Sequence, residues 1–344
     1  MPSFYKLILR LYIKVLTIFV NILKNFFRKN LGKLILCNYA DSIGRFFNKL
    51  YWYQNRLGNL GGCSTKEKLN YKFEVLKTNK LEGCRVCLFS SYSYSQEISD
   101  YIIEYLKLLC KNGFKIVFIS TSSLEEKKFD PLNKLCDVII ERENVGLDFA
   151  SWQCALKEFD FGKSFKELLL VNDSVLPVND KLEEIFSKMS KKNCDVWGIT
   201  ESDEFGKHLQ SYFLHLNQNV VISPEWENFW KTLPLCRDKR TLVYNYEIKL
   251  SKVLAKKFSF SSYINNDDLV KISRENALEK AIGFNPSICY WKELIQEHNY
   301  PFVKREILFN ALKEKSCYDE LKAIVPDKKF KQFEEYMQIL KKYA

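Results

Sequence analysis

Glycine is scarce, 12 in 344 residues, and none falls in CLFSSYSYSQ (87–96), where the first buried strand ends. That absence argues against a Gly-rich phosphate loop there and against the nucleotidyltransferase class that would use one. Histidine is rarer still, at positions 208, 215 and 298, and no GxSxG occurs, so hydrolase triads have little to stand on. The eleven cysteines are odd in number and scattered, which fits a reducing compartment better than a disulfide framework. Cys84 and Cys87 form a CxxC with no second pair for zinc and no following helix for thioredoxin-like chemistry. Long apolar runs are missing from the basic N-terminus. Its longest uncharged stretch, Val15 to Leu23, is nine residues, too short to span a bilayer. Lys14 and Lys24 bracket that stretch and no small-residue cleavage site follows closely, so a signal peptide is a poor fit.

What is present is apolar and aromatic. Hydrophobic residues make up 47% and aromatics 15%, enough to exclude a disordered chain. Charge is unevenly placed. Residues 1–80 carry 15 Lys and Arg against 3 Asp and Glu, while the remaining 264 carry 38 against 39. The basic excess is therefore a local arm rather than a nucleic-acid groove, and no nucleic-acid partner is expected. Lys6, Arg10, Lys14, Thr17, Asn21, Lys24 and Arg28 recur at helical spacing as one polar stripe on an apolar surface. That pattern suits a helix lying on an anionic membrane surface through residues 1–30, or docked on its own domain or on a partner subunit.

The expected fold class is α/β. Residues 1–80 read as the amphipathic membrane-association region, with 58–82 a connection. Residues 83–312 read as the main domain and 313–344 as a C-terminal helical tail. Strands are expected at 86–91, 115–120, 137–140, 167–171, 195–200 and 209–216. Helices are expected at 96–112, near 131, at 148–159, 182–189, through Trp226 and Trp230, and at 246–256. Strand and helix alternate at a spacing that gives a mostly parallel sheet with right-handed crossovers.

The densest signal is ERENVGLDFASWQCALKEFDFGKSFKELLLVNDSVLP (141–177). A turn with Asn144 and Gly146 opens a helix, and an apolar strand then breaks off at Asn172, Asp173 and Ser174. Open α/β sheets bind ligands at such strand ends, and a carboxylate there suits a cation carrying phosphates.

The Asn-x-Gly turn, helix and LLLVND resemble the central part of GT-A-fold glycosyltransferases. With WGITESDE (197–204), HLQSYFL (208–214), NPSICYWKELI (285–295) and PFVKREIL (301–308), the chain resembles the rhamnan synthesis protein F family over roughly 84–310. The resemblance implies a GT-A-like domain that transfers a sugar from a nucleoside-diphosphate sugar to a cell-surface polysaccharide or lipopolysaccharide glycan. The acceptor would be a glycan or lipid-linked glycan, the location the cytoplasmic face of the inner membrane, peripherally. Rhamnose or another deoxyhexose is suggested by the family's name alone. A catalytically silent scaffold or acceptor-binding module on the same fold is the alternative.

Asp173 stands at the expected metal position for manganese or magnesium, aided by Asn172 and Ser174. The chain has one carboxylate where many GT-A enzymes have two, which makes a weaker metal site. Asp148 either caps its helix or accepts bonds from the nucleoside. Asn144 and Arg142 are near enough in sequence to line the same pocket. Gly146 permits a turn closed to other residues. Ser90 and Ser91 end the first strand, facing the nucleotide. His208 is expected near donor sugar or phosphate, Gln210 near sugar hydroxyls, and Lys304 with Arg305 at the diphosphate. Glu247 is the favoured general base, with Glu201 next.

Overall fold

The computed structural model describes residues 63–68, 71–95, 97–123, 130–202, 207–236, 243–266, 269 and 285–343. The basic stripe at residues 1–30 lies outside them, as do Asp203 and Glu204.

Six runs of mainly apolar residues build most of the sheet: β3 (Arg85–Ser91), β4 (Lys115–Ser120), β5 (Val138–Arg142), β6 (Glu167–Asn172), β8 (Val196–Ser202) and β10 (Phe213–Asn217). Neighbouring side chains on each strand enter opposite cores, the period-two pattern of a sheet covered on both faces. Cys87 and Phe89 of β3 join one core, with Leu169 and Val171 of β6. Val86 and Leu88 join the other, with Leu168 and Leu170. Helix Leu147–Glu158 packs on the second face, where the buried Trp152 indole donates to Leu88 O and Val171 O.

Strands β6, β3, β4 and β5 run parallel in that order. The chain moves outward from β3 to β4 and β5, then returns to place β6 on the other side of β3. That reversal is a topological switch point, and a crevice opens there beyond the strand ends. Strand β10 is antiparallel to both β6 and β8.

Several short strands are legible only through their partners. β2 (Phe73–Lys77) pairs antiparallel with β5, so residues inside the expected N-terminal connection belong to the central sheet. β1 (Cys63–Lys68) pairs with β11 (Pro234–Cys236). β12 (Phe260–Ile264) runs parallel to β8. β7 (Val175–Pro177) pairs antiparallel with β13 (Phe302–Lys304), which carries Lys304 and Arg305 to the end of β6.

Two further differences have local causes. The helix expected from Gln96 starts at Asp100. Ser99 takes the extended backbone of a cap, and Asp100 places its charge in the first turn. The strand expected at 209–216 is two pieces, β9 (His208–Leu209) and β10, joined by a turn. The Gln210 N–H still reaches Thr200 O of β8, but the Ser211 N–H donates to the Glu247 side chain, which takes the backbone out of the ladder.

The C-terminal segment forms helices Lys315–Ile324 and Asp327–Tyr343. Leu321, Phe330, Phe333, Tyr336, Met337 and Leu340 are buried in the same core as β3 and β6. Lys329 pairs with Glu104, and the Tyr336 ring lies 4.6 Å from that of Tyr101. No described helix is long and apolar enough to cross a membrane.

Candidate active site

A cleft of about 790 Å³ opens at the switch point. Nine of the residues expected from sequence line it: Asp148, Asn172, Asp173, Ser174, His208, Gln210, Glu247, Lys304 and Arg305. Ser90 and Ser91 lie directly behind, each bonded to one of its carboxylates.

The turn before Asp148 is organised by Arg142. Its buried guanidinium donates to Glu143 O at 2.6 Å, Val145 O at 2.8 Å and Leu147 O at 2.6 Å, and its Nε to Ser151 Oγ at 3.0 Å. Arg142 is therefore spent on the loop and does not line the cleft. Gly146 sits at φ +76°, a conformation that strains any residue with a Cβ. Asn144 is exposed and also lies off the cleft lining.

Asp148 stands at the start of the helix. Its Oδ1 accepts from Ser90 Oγ at 3.1 Å and its Oδ2 from Asn172 Nδ2 at 2.9 Å. Burial, then the nearby Asp173 charge, push its carboxyl up to about 6. The Ser90 bond and the Arg305 and Arg142 charges oppose that rise.

Asp173 is buried, with 6% of its side chain exposed. Its Oδ2 accepts from Ser91 Oγ at 3.1 Å and Tyr92 N at 2.8 Å. Its Oδ1 is held by Arg305 Nη2, which also donates to Asp173 O. The Arg305 backbone N–H donates to Ser174 O at 2.8 Å. Burial alone would lower the Arg305 pKa. The Asp173 carboxylate, with the phenols of Tyr101, Tyr336 and Tyr94, raises it instead, and the guanidinium stays charged. Asn172 Oδ1 accepts from Ser174 N at 3.1 Å and Ser174 Oγ at 2.5 Å.

These side chains do not fit a divalent cation in this arrangement. Magnesium and similar ions need several oxygen ligands with free lone pairs. Asp173 Oδ2 already accepts two hydrogen bonds and its Oδ1 faces the Arg305 guanidinium, so an ion at this carboxylate would meet a fixed positive charge. Among the described residues, no group of three or more His, Cys, Asp or Glu could hold a metal ion. In place of the metal role expected for Asp173 there is an ion pair.

Glu247 lies in a single π-helical stretch, Val243–Ile248, so the regular helix there begins at Lys249 and not at Tyr246 as expected. Such turns are frequent at functional sites. Glu247 Oε1 accepts the Ser211 N–H at 2.6 Å, and His208 Nε2 lies 3.9 Å from it. Glu201 is elsewhere. It is buried on β8, its Oε1 accepts the Asn266 N–H at 3.0 Å and pairs with Lys207 at 3.3 Å, and it does not line the cleft. Off the cleft lining, it is out of the reach a base needs.

Sequence reasoning missed Asn285. It lines the cleft and joins a polar chain beneath it. Tyr300 OH donates to Tyr212 OH at 3.0 Å, and Tyr212 and Thr200 hydroxyls lie 2.6 Å apart. Thr200 Oγ1 donates to Gln210 Oε1 at 2.6 Å, and Gln210 Nε2 to Asn285 Oδ1 at 2.9 Å. Ser287 Oγ lies 2.7 Å from the same Asn285 oxygen. With its oxygen so engaged, the Asn285 amide turns its NH2 to the other side. The only signal in sequence is the Asn-Pro-Ser start of the helical turn at 286–289.

The sequence model of the family described as rhamnan synthesis protein F matches residues 116–333. Uncharacterized protein y4gN of Sinorhizobium fredii is 30% identical over 172 residues, covering 48% of this chain. The chain thus spans only 45% of that relative's length. Virulence protein VirA of Vibrio anguillarum is 25% identical over 295 residues, covering 78% of this chain and 94% of VirA. Among solved structures, S. aureus TarS 1–349 overlaps 75% of this chain and 91% of its own, at 14% identity and a TM-score of 0.35. An overlap at that score carries no weight for function.

Proposed function

The chain belongs to the rhamnan synthesis protein F family of glycosyltransferases, and from that premise we propose that its switch-point cleft transfers a sugar from a nucleoside-diphosphate sugar to a hydroxyl of a growing cell-surface glycan. One observation carries this reading. Asp148, Asp173, Lys304 and Arg305 meet in a single cleft with Glu247 and His208, although they come from five separate stretches of sequence.

In the proposed reaction the acceptor oxygen bonds to the anomeric carbon as the carbon–oxygen bond to the diphosphate breaks. The diphosphate leaves with the electron pair, and the acceptor proton passes to Glu247. A positioned base of this kind contributes roughly 10²–10⁴-fold. The Ser211 N–H on Oε1 fixes the position of the carboxylate. Asp148 and Ser90 support the nucleoside end. Lys304 and Arg305 lie where the leaving phosphates would gather charge. The basic stripe of residues 1–30 supports a peripheral position on an anionic membrane surface, where lipid-linked glycans are extended.

A thermal-shift screen of UDP-, GDP- and dTDP-sugars tests the donor class. At a ligand concentration about 100-fold above Kd, binding adds about 2.7 kcal/mol and raises Tm. One nucleotide family raising Tm supports the reading. No shift with any of them contradicts it.

A further inference from the structure

The reading of this cleft as a donor site leaves open what balances the charge of the diphosphate. We propose that the donor diphosphate binds here without a divalent cation, the Arg305 guanidinium occupying the place at Asp173 that a cation would take. The inference rests on the glycosyltransferase reading and goes beyond it.

Three observations carry it. First, the place a cation would take at Asp173 is filled, and its neighbours are tied to one another. Asp173 Oδ2 holds Ser91 and Tyr92, Oδ1 holds Arg305, Asp148 holds Ser90 and Asn172, and Asn172 Oδ1 holds Ser174. A cation at Asp173 would sit against a guanidinium, a repulsion that the low local dielectric magnifies.

Second, the guanidinium is built in, not draped over the surface. Only 13% of the Arg305 side chain is exposed. Pairing of β13 with β7 fixes the backbone before it, and its own N–H is tied to Ser174 O. Tyr101 and Tyr336, from two different helices, pack against each other beside it. Its Nε is buried and has no hydrogen-bond partner.

Third, a second cation is supplied by the neighbouring residue. Lys304 lines the cleft with its ammonium 5.9 Å from the Tyr212 ring centre. A guanidinium fork and an ammonium are common direct partners of phosphate oxygens.

Titration calorimetry on the full chain tests this, using UDP, GDP and dTDP, each in excess EDTA and in excess manganese. The expected result is that the nucleotide which binds does so in EDTA, with a Kd within about threefold of that in manganese. Manganese alone should give no heat of binding. Arg305→Lys should weaken the nucleotide by about tenfold or more in EDTA, the scale of one charged hydrogen bond. Binding seen only with manganese, or strengthened more than about tenfold by it, overturns the inference while leaving the glycosyltransferase reading intact. No binding by any nucleotide in either buffer overturns both. The buffer comparison uses the unaltered protein, so it does not depend on a variant folding.

Discussion

Arg305 and Asp173, 132 residues apart in sequence, form a buried ion pair at the end of β6. The pair welds the start of helix Arg305–Lys313 to the strand end at the switch point. Removing one partner strands a charge in a medium that solvates it poorly. Asp173→Asn should therefore lower stability by about 3–5 kcal/mol. Asp173→Asn combined with Arg305→Met should recover part of that loss. Chemical denaturation of the two single variants and the double variant measures the coupling. Additive losses would remove the pair from the account.

Asp148 gives a pH dependence of definite sign. Its folded-state pKa, about 6, lies above the ordinary value of 3.8. Between those values the folded chain binds more protons than the unfolded one, so this group's contribution is fully present below pH 3.8 and is lost as pH rises through 6. Asp148→Ala removes the effect. The Tm of the variant minus that of the parent should grow more positive from pH 4 to pH 7.5. A flat difference would show that Asp148 is not strained by its charge.

Glu167 gives the opposite slope at the far end of β6. Its carboxyl is brought down to about 2 by the hydrogen bond from His215 at 3.1 Å, with Arg85 at 2.7 Å adding to the effect and burial opposing it. Its contribution is present above the ordinary value of 4.5 and is lost as pH falls toward 2. Glu167→Gln should cost about 2 kcal/mol at pH 7, after discounting for its partly exposed side chain. The cost should shrink below pH 4. Urea unfolding at pH 7 and pH 3 decides it, and an equal cost at both would contradict the assignment.

Much of the framework is readable from sequence for a physical reason. Strands β3, β4 and β6 are buried on both faces, so they appear as unbroken apolar runs. FEVLK (73–77) and FSSYI (260–264) carry polar residues and take their strand form from β5 and β8. The same limit applies to the site. Asp173 is visible as the polar break after LLLV, but its partner is not, because the β7–β13 pairing that delivers Arg305 links residues 175–177 to 302–304. Asn285 escapes notice because its amide is aligned through Gln210 and Thr200, which lie on a distant stretch of chain, and by Ser287.

Asn285 should act in recognition more than in the chemical step. Its oriented NH2 suits a sugar hydroxyl, and one such bond is worth about 0.5–1.5 kcal/mol, or roughly 2–13-fold in KM. Asn285→Ala should raise KM for one substrate on that scale with kcat nearly unchanged. Thr200→Val, which breaks the chain two bonds away, should give a smaller shift of the same kind. A fall in kcat with KM unaltered would move Asn285 from recognition to the reacting atoms.

Residues 1–30 should confer membrane attachment. A chain lacking them should stay in the supernatant when sedimented with vesicles rich in phosphatidylserine, while the full chain pellets with them. Raising salt should release the full chain, because each basic side chain contributes only about 1 kcal/mol through a screened field. Equal sedimentation of both chains would favour docking of this segment on protein.

The central claim concerns Glu247, and Glu247→Gln tests it most directly. The glutamine keeps an oxygen for the Ser211 N–H but cannot take a proton. With the donor found by the thermal-shift screen, the account predicts a fall in kcat of about 10²–10⁴-fold, with nucleotide affinity by calorimetry unchanged. Transfer at the parent rate by a folded Glu247→Gln chain would contradict it.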